Sequence, residues 1–120
     1  MLLSKSILTI FALALGGCST VPIPIPKVSG PAIVVVRDTG FIGSGCTFDV
    51  LINGEAVGRI GAGQSISKAV QNGRHRVAID NATPACPNVK MNKVVDVTGE
   101  PVILRIGMTS NFQTIFDQVE

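Results

Sequence analysis

The sequence has no tryptophan, no tyrosine and one histidine, and charged residues make up only 15% of its 120 positions. Ten Lys and Arg residues stand against eight Asp and Glu residues, so the formal charge at pH 7 is +2. Proteins that bind nucleic acid usually concentrate basic residues on one face and add aromatic side chains that stack on bases. We therefore predict that this chain does not bind nucleic acid.

The residues needed for catalysis or for metal binding are also scarce. A zinc site would have to combine His75, the only histidine, with Cys46 and Cys86, and these residues lack the CxxC or HxxxH spacing of zinc ligands. A thiol nucleophile built from Cys46 and His75 has no supporting signature either. We expect a protein that is not an enzyme and that holds no metal or cofactor.

The N-terminus, in contrast, has the pattern of a secretion signal. Lys5 supplies a positive charge, and the apolar run ILTIFALAL follows at residues 7–15. A membrane-spanning helix needs about 20 apolar residues, so this run is too short to remain as a stable anchor. We predict that it is cleaved.

The signal ends in Leu15-Gly16-Gly17-Cys18. This tetrapeptide resembles the lipobox of bacterial lipoproteins, in which leucine and two small residues precede the cysteine that becomes the mature N-terminus. The resemblance implies a diacylglycerol on Cys18, cleavage before it, and further acylation with fatty acids such as palmitate. Ser19 implies release to the outer membrane, where the chain faces the periplasm. The protein would then contact the membrane through its lipid, because two acyl chains give stable anchoring.

The predicted organisation has three parts: a signal peptide at 1–17, a lipidated proline-rich linker at 18–31 and one β domain at 32–120. Residues 20–31, TVPIPIPKVSGP, contain four prolines, which disfavour a helix or a central strand and favour an extended stalk. At about 3.1 Å per residue, this stalk would lift the domain on the order of 30 Å from the lipid surface.

Short apolar runs separated by turn residues fill the remainder of the chain. Candidate strands lie at 32–36, 46–52, 56–60, 65–70, 74–80, 89–97 and 102–106, and the segment 111–119 fits either a strand or a helix, with a strand favoured. Asn53-Gly54 is a strong hairpin signal. About seven short strands predict an all-β fold, a small antiparallel β-sandwich or partly open barrel.

The alternation in 74–80 assigns its side chains to two faces. His75, Val77 and Ile79 share the apolar face, while Arg74 and Arg76 lie on the other. We interpret His75 as a structural residue that hydrogen-bonds to the backbone. The two arginines are typical of a solvated face, although anionic headgroups or a partner protein are alternatives.

The stretch FDVLINGEAVGRIGAGQSISKAVQNGRHRVAI, residues 48–79, resembles PEGA-like domains and related domains of bacterial lipoproteins. The likeness is carried by turn and strand residues: Asn53, Gly54, Gly58, Gly73, His75 and Val77. It implies a small extracytoplasmic β-sandwich without a known catalytic centre.

With Cys18 assigned to lipid, Cys46 and Cys86 remain as a pair in an oxidising compartment. We predict a disulfide between them, which would attach the proline-bounded loop around Cys86 to the start of a strand.

Together these features predict a non-enzymatic outer-membrane lipoprotein that acts as an interaction or structural module of the cell envelope. Its partner would be another envelope protein, bound for example by strand addition at a sheet edge. The alternative is a periplasmic inhibitor of a hydrolase such as lysozyme, with the glycine-rich loop 39–45 as the inserted element.

Overall fold

The computed structural model describes residues 25–39, 45–109, 111 and 113–119. These residues form strands and no helix, which confirms the all-β prediction, and there are eight strands rather than about seven. They are β1 Ala32–Arg37, β2 Phe48–Ile52, β3 Glu55–Ile60, β4 Ser65–Ala69, β5 Gly73–Asn81, β6 Lys90–Val97, β7 Val102–Met108 and β8 Thr114–Val119. The ambiguous C-terminal segment is therefore a strand, as favoured.

The strands form two four-stranded sheets of a β-sandwich. Sheet A has the order β4-β1-β7-β8, and sheet B has the order β3-β2-β5-β6. The prediction of an antiparallel sandwich needs one correction, because β1 pairs with β7 in parallel. No hairpin joins these two strands, and sheet B is built from the chain between them. Their relative direction is therefore set by how the chain crosses between sheets, which local turn signals do not specify.

The core lies between the sheets and follows the alternation of the strands. In β2, Phe48, Val50 and Ile52 are buried while Asp49 and Leu51 are only partly covered. The residues that β5 adds are Val77 and Ile79, both completely buried. Sheet A contributes its own inward-facing side chains to the same cluster: Ile33, Val35, Val102, Leu104, Ile106 and Phe116. Apolar burial on this scale is the main force that holds the two sheets together.

An arginine at the end of β1 connects sheet A to the chain segment that leads into sheet B. Arg37 is only 4% exposed, its Nη1 donates a hydrogen bond to the Cys46 carbonyl oxygen, and its guanidinium lies 5.0 Å from the centre of the Phe48 ring. Burial lowers the pKa of Arg37, and the neighbouring Asp38 carboxylate opposes that shift. The Asp38 side chain also accepts hydrogen bonds from Arg105 Nε at 2.8 and 3.0 Å, which raises the pKa of Arg105. A buried cation thus joins the two layers.

The predicted cysteine pair is at disulfide distance. The sulfur atoms of Cys46 and Cys86 lie 2.03 Å apart, and their Cα atoms lie 5.9 Å apart. Hydrogen bonds hold the same loop against the start of β2, because the Thr83 hydroxyl accepts from the Thr47 backbone N–H at 2.9 Å. The Asn81 side-chain amide donates to the Cys86 carbonyl oxygen at 3.1 Å. The loop before β6 is therefore fixed both covalently and by polar contacts.

The proline-rich linker is described only from Ile25 onward. Residues 25–31 have no regular secondary structure. The Pro31 carbonyl oxygen accepts a hydrogen bond from the Val70 backbone N–H at 3.2 Å, so the chain enters the sandwich beside the end of β4. The predicted signal peptide and Cys18 lie outside the described residues.

Reducing the disulfide of the purified protein should lower its free energy of unfolding by about 4 kcal/mol. The bond closes a loop between residues 40 positions apart, and cutting it restores the conformational freedom of that loop in the unfolded chain. Urea unfolding with and without dithiothreitol measures the change. The Cys46→Ala/Cys86→Ala variant is the control, because dithiothreitol should not shift its midpoint. An unchanged midpoint in the unsubstituted protein would contradict the prediction.

Candidate functional site

The Asn53-Gly54 turn is a two-residue hairpin between β2 and β3, as predicted. Asn53 and Gly54 have φ angles of +52° and +83°. A tight hairpin of this kind needs positive φ at both positions, which asparagine and glycine adopt at the lowest cost. The turn therefore fixes where β2 ends and β3 begins in sheet B.

The Asn53 side chain joins this turn to the start of β5. Its Oδ1 accepts a hydrogen bond from the Arg76 backbone N–H at 3.0 Å, and its Nδ2 lies 2.9 Å from His75 Nδ1. Because Oδ1 is already an acceptor, Nδ2 is the donor to the histidine ring. His75 Nε2 then carries the hydrogen atom and donates a hydrogen bond to the Gln71 carbonyl oxygen at 2.7 Å. His75 has the backbone partner that the sequence predicted, and both ring nitrogens have a partner.

Beside this network, a shallow groove of about 570 Å³ opens on the face of sheet B that points away from the core. We call it the outer groove; its lining consists of Leu51, Asn53, Gly54, Arg74, His75, Arg76, Ala78, Asn92 and Val94. Apolar side chains from three neighbouring strands lie in it: Leu51 pairs with Ala78 across β2 and β5, and Val94 lies on β6. Val94 is 51% exposed, the largest exposed fraction among the big apolar side chains described.

The charges at the outer groove are not balanced. Arg74 Nε lies 3.4 Å from Asp96 Oδ1, in an ion pair that is well exposed on both sides. The exposed Arg76, opposite Val94 in the β5–β6 ladder, forms no side-chain ion pair or hydrogen bond with any residue of the described part of the chain. By contrast Arg59, elsewhere on the same sheet, pairs with Asp49 at 3.0 Å. Arg76 is thus a cation available to a ligand.

Strand β6 is a free edge next to this groove. The Asn81 backbone N–H donates to the Val89 carbonyl oxygen at 2.9 Å, just before the ladder that pairs Asp80 with Lys90. Hydrogen-bonded and non-hydrogen-bonded pairs alternate in an antiparallel ladder. Because Asn81 and Val89 form a hydrogen-bonded pair, Lys90 and every second residue after it belong to non-hydrogen-bonded pairs. The backbone N–H and C=O groups of four β6 residues therefore point away from β5: Lys90, Asn92, Val94 and Asp96. Within the described residues no strand pairs with them.

The other three sheet edges are less suited to strand addition. β3 pairs with β2 through a register shift between Val50 and Leu51, so its edge is irregular. β4 and β8 have five and six residues. β6 has eight residues and continuous pairing with β5. Natural edge strands are usually protected from pairing by bulges, charges or short length. β6 carries charges at Lys90, Lys93 and Asp96, and between the last two it presents an exposed valine on its outer face.

Of the candidate catalytic and metal residues in the described part of the chain, the structure brings together only Cys46 and Cys86. Cys46 and Cys86 are bonded to each other, and His75 is held by the hairpin network. Among residues 25–39, 45–109, 111 and 113–119, no three His, Cys, Asp or Glu side chains are placed to share a metal ion. The same residues contain no helix long and apolar enough to cross a membrane. Loop 39–45, the predicted inserted element of a hydrolase inhibitor, lies mostly outside the described residues, so that alternative stays a prediction.

The sequence analysis missed the outer groove and the β6 edge, although one local signal was present. Val94 and Val95 are adjacent in a strand whose side chains alternate, so one of the two must face away from the core. Val95 is 2% exposed, and Val94 is the one that faces outward. That β6 is an edge strand follows only from the order of the sheet.

Comparison with known protein families, curated proteins and solved structures finds no match to this chain. The resemblance of residues 48–79 to PEGA-like domains and the lipobox resemblance therefore stay predictions.

The Asn53→Ala substitution should lower the free energy of unfolding by about 2 kcal/mol. It removes the acceptor of the Arg76 N–H and the donor to His75, each hydrogen bond contributing about 1 kcal/mol, and places a less tolerant residue at positive φ.

Urea unfolding measures this effect, with Asn92→Ala as the matched control. Asn92 is exposed on the same sheet, and its substitution should change stability by no more than about 0.5 kcal/mol. Equal losses in the two variants would show that the Asn53 network contributes nothing specific.

Proposed function

We propose that the chain is a non-enzymatic, lipid-anchored module of a bacterial cell envelope, which binds another envelope protein by strand addition at β6. The observation that carries the proposal is the free edge of β6, a regular eight-residue strand with an exposed valine beside a groove. Extended segments that join such an edge gain main-chain hydrogen bonds, and neighbouring side chains supply specificity.

The position of the groove supports an interaction close to the anchor. The linker reaches the sandwich where Pro31 contacts Val70, and the Gln71 carbonyl oxygen next to it accepts the hydrogen bond from His75. His75 contacts Asn53, which lines the outer groove. The groove is therefore at the end of the domain where the linker enters. A lipid on Cys18 would hold this end toward the bilayer, within reach of other proteins of the same membrane.

Lipidation is tested by labelling cells with palmitate. The unsubstituted protein and the Cys46→Ala/Cys86→Ala variant should both incorporate the label, because neither loses the lipobox cysteine. The Cys18→Ala variant should not incorporate it, because the acceptor thiol is gone. Label in the Cys18→Ala protein would overturn the lipoprotein proposal.

Strand addition is tested in intact cells by replacing Asn92 with p-benzoyl-phenylalanine, which places a photo-crosslinker on the outer side of β6. We expect a covalent adduct with another envelope protein. Adding Val94→Pro should abolish the adduct, because proline removes an N–H that points to the free edge and is not used in the pairing with β5.

Ser67→Pro is the matched control. The Val70 N–H to Pro31 carbonyl bond fixes the alternation of the β1–β4 ladder, so the Ser67 N–H also points to a free edge, but on sheet A. This variant should keep the adduct. Loss of the adduct in both variants, or in neither, would contradict binding at β6.

A further inference from the structure

We propose that the segment bound at β6 is acidic: an extended stretch of another protein whose carboxylate contacts Arg76 across the outer groove. This inference rests on the proposed function, because it names the chemistry of the partner at that same site.

The charge of the β5–β6 hairpin is the first argument. Between Gly73 and Val97 the chain carries four cationic side chains and two acidic ones. Asp96 is already shared with Arg74, and Lys93 Nζ pairs with Asp117 on β8 at 3.3 Å. Within the described part of the chain, Arg76 has no carboxylate partner. A bound carboxylate would supply one, and a charge-assisted hydrogen bond is stronger than a neutral one.

The register is the second argument. Arg76 lies directly opposite Val94, and both side chains are on the outer face of sheet B. A strand added to β6 would lie about 4.8 Å beyond it, with the residue opposite Val94 on that same face. The long, flexible Arg76 side chain would pass over Val94 to reach that residue. Only β6 separates the arginine from the added strand.

The neighbouring residues limit where the carboxylate can lie. A carboxylate opposite Asp96 would face a like charge, which is unfavourable between neighbouring strands. Opposite Val94 or Asn92 it would meet Arg76 or an amide donor. The exposed Lys90 adds a second cation on the same face beyond Asn92. The partner segment should therefore carry its acidic residue toward the Asn92 side and an uncharged residue opposite Asp96.

A peptide fits this site better than a lipid headgroup does. Arg76 lies opposite Val94, which is one of the four β6 residues whose backbone N–H and C=O groups point outward from the edge. A headgroup phosphate would engage the arginine and would leave the carbonyl groups unpaired. An extended chain satisfies the donors, the acceptors and the cation together.

The test uses the mature lipoprotein purified in a nonionic detergent and three fluorescent, end-blocked peptides of eight residues. In these peptides valine alternates with threonine, one central threonine is replaced by glutamate, by glutamine or by lysine, and fluorescence anisotropy reports binding. The glutamate peptide should bind about tenfold more tightly than the glutamine peptide, and the lysine peptide more weakly than both. The preference for glutamate should shrink as salt concentration rises.

Arg76→Gln should remove the preference for glutamate, whereas Arg59→Gln should keep it, because Arg59 is an exposed arginine of the same sheet that already pairs with Asp49. Equal binding of the glutamate and glutamine peptides, or a preference that survives Arg76→Gln, would overturn the proposal.

Other outcomes separate this inference from the proposed function. If the glutamine peptide binds as well as the glutamate peptide and Val94→Pro abolishes both, strand addition stands and the acidic preference is wrong. Binding of anionic lipid vesicles that depends on Arg76, without peptide binding, would identify a headgroup instead. A dimer that dissociates on Val94→Pro would assign the edge to a second copy of the chain and would likewise overturn the proposal.

Discussion

The apolar contact between the two sheets is the interaction on which the rest of this structure depends. Strands β2, β5 and β7 alternate, so that residues such as Val50, Ile79 and Leu104 point inward and are completely buried. That alternation also decides which side chains face outward. Shifting a strand by one residue would move its polar side chains into the core, and the outer groove would lose the side chains that line it. The position of the candidate site is therefore a consequence of how the core is packed.

A sandwich of two open sheets buries its apolar faces but leaves strand edges at its sides. Here the β3 edge is irregular and β4 is short, while β6 is long and regular and carries an exposed valine. On the same strand, Lys93 reaches Asp117 of β8, so the neighbouring edges of the two sheets are linked by charge. The longest edge, which also pairs without a register shift, is the one beside an arginine with no carboxylate partner among the described residues. Recognition of an extended acidic segment would use both properties.

Local sequence patterns predicted most of the elements because they act over short distances. The Asn53-Gly54 turn, the strands around it and the assignment of His75 and Arg76 to opposite faces all follow from φ preferences and alternation. The pairing of Cys46 with Cys86 was predicted because they are the two cysteines left when Cys18 is assigned to lipid, in a compartment expected to be oxidising. The structure places the two at disulfide distance. Arg37 was not foreseen as a buried residue, because a charged side chain at a strand end ordinarily faces solvent. Its burial becomes visible only when the Cys46 carbonyl and the Phe48 ring are brought next to it.

By itself, the sequence determined that this chain forms short strands, where the tight hairpin lies, and which side chains share a face. It also contains the lipobox-like tetrapeptide 15–18 and the proline-rich segment 20–31 on which the proposed anchoring rests. Only the tertiary structure decided that β1 runs parallel to β7, that β6 is an edge, and that Arg76 and Val94 lie side by side. The physical reason is the sequence separation over which each constraint acts. Turns and alternation depend on neighbours in sequence, whereas strand order depends on which apolar faces bury each other across long loops.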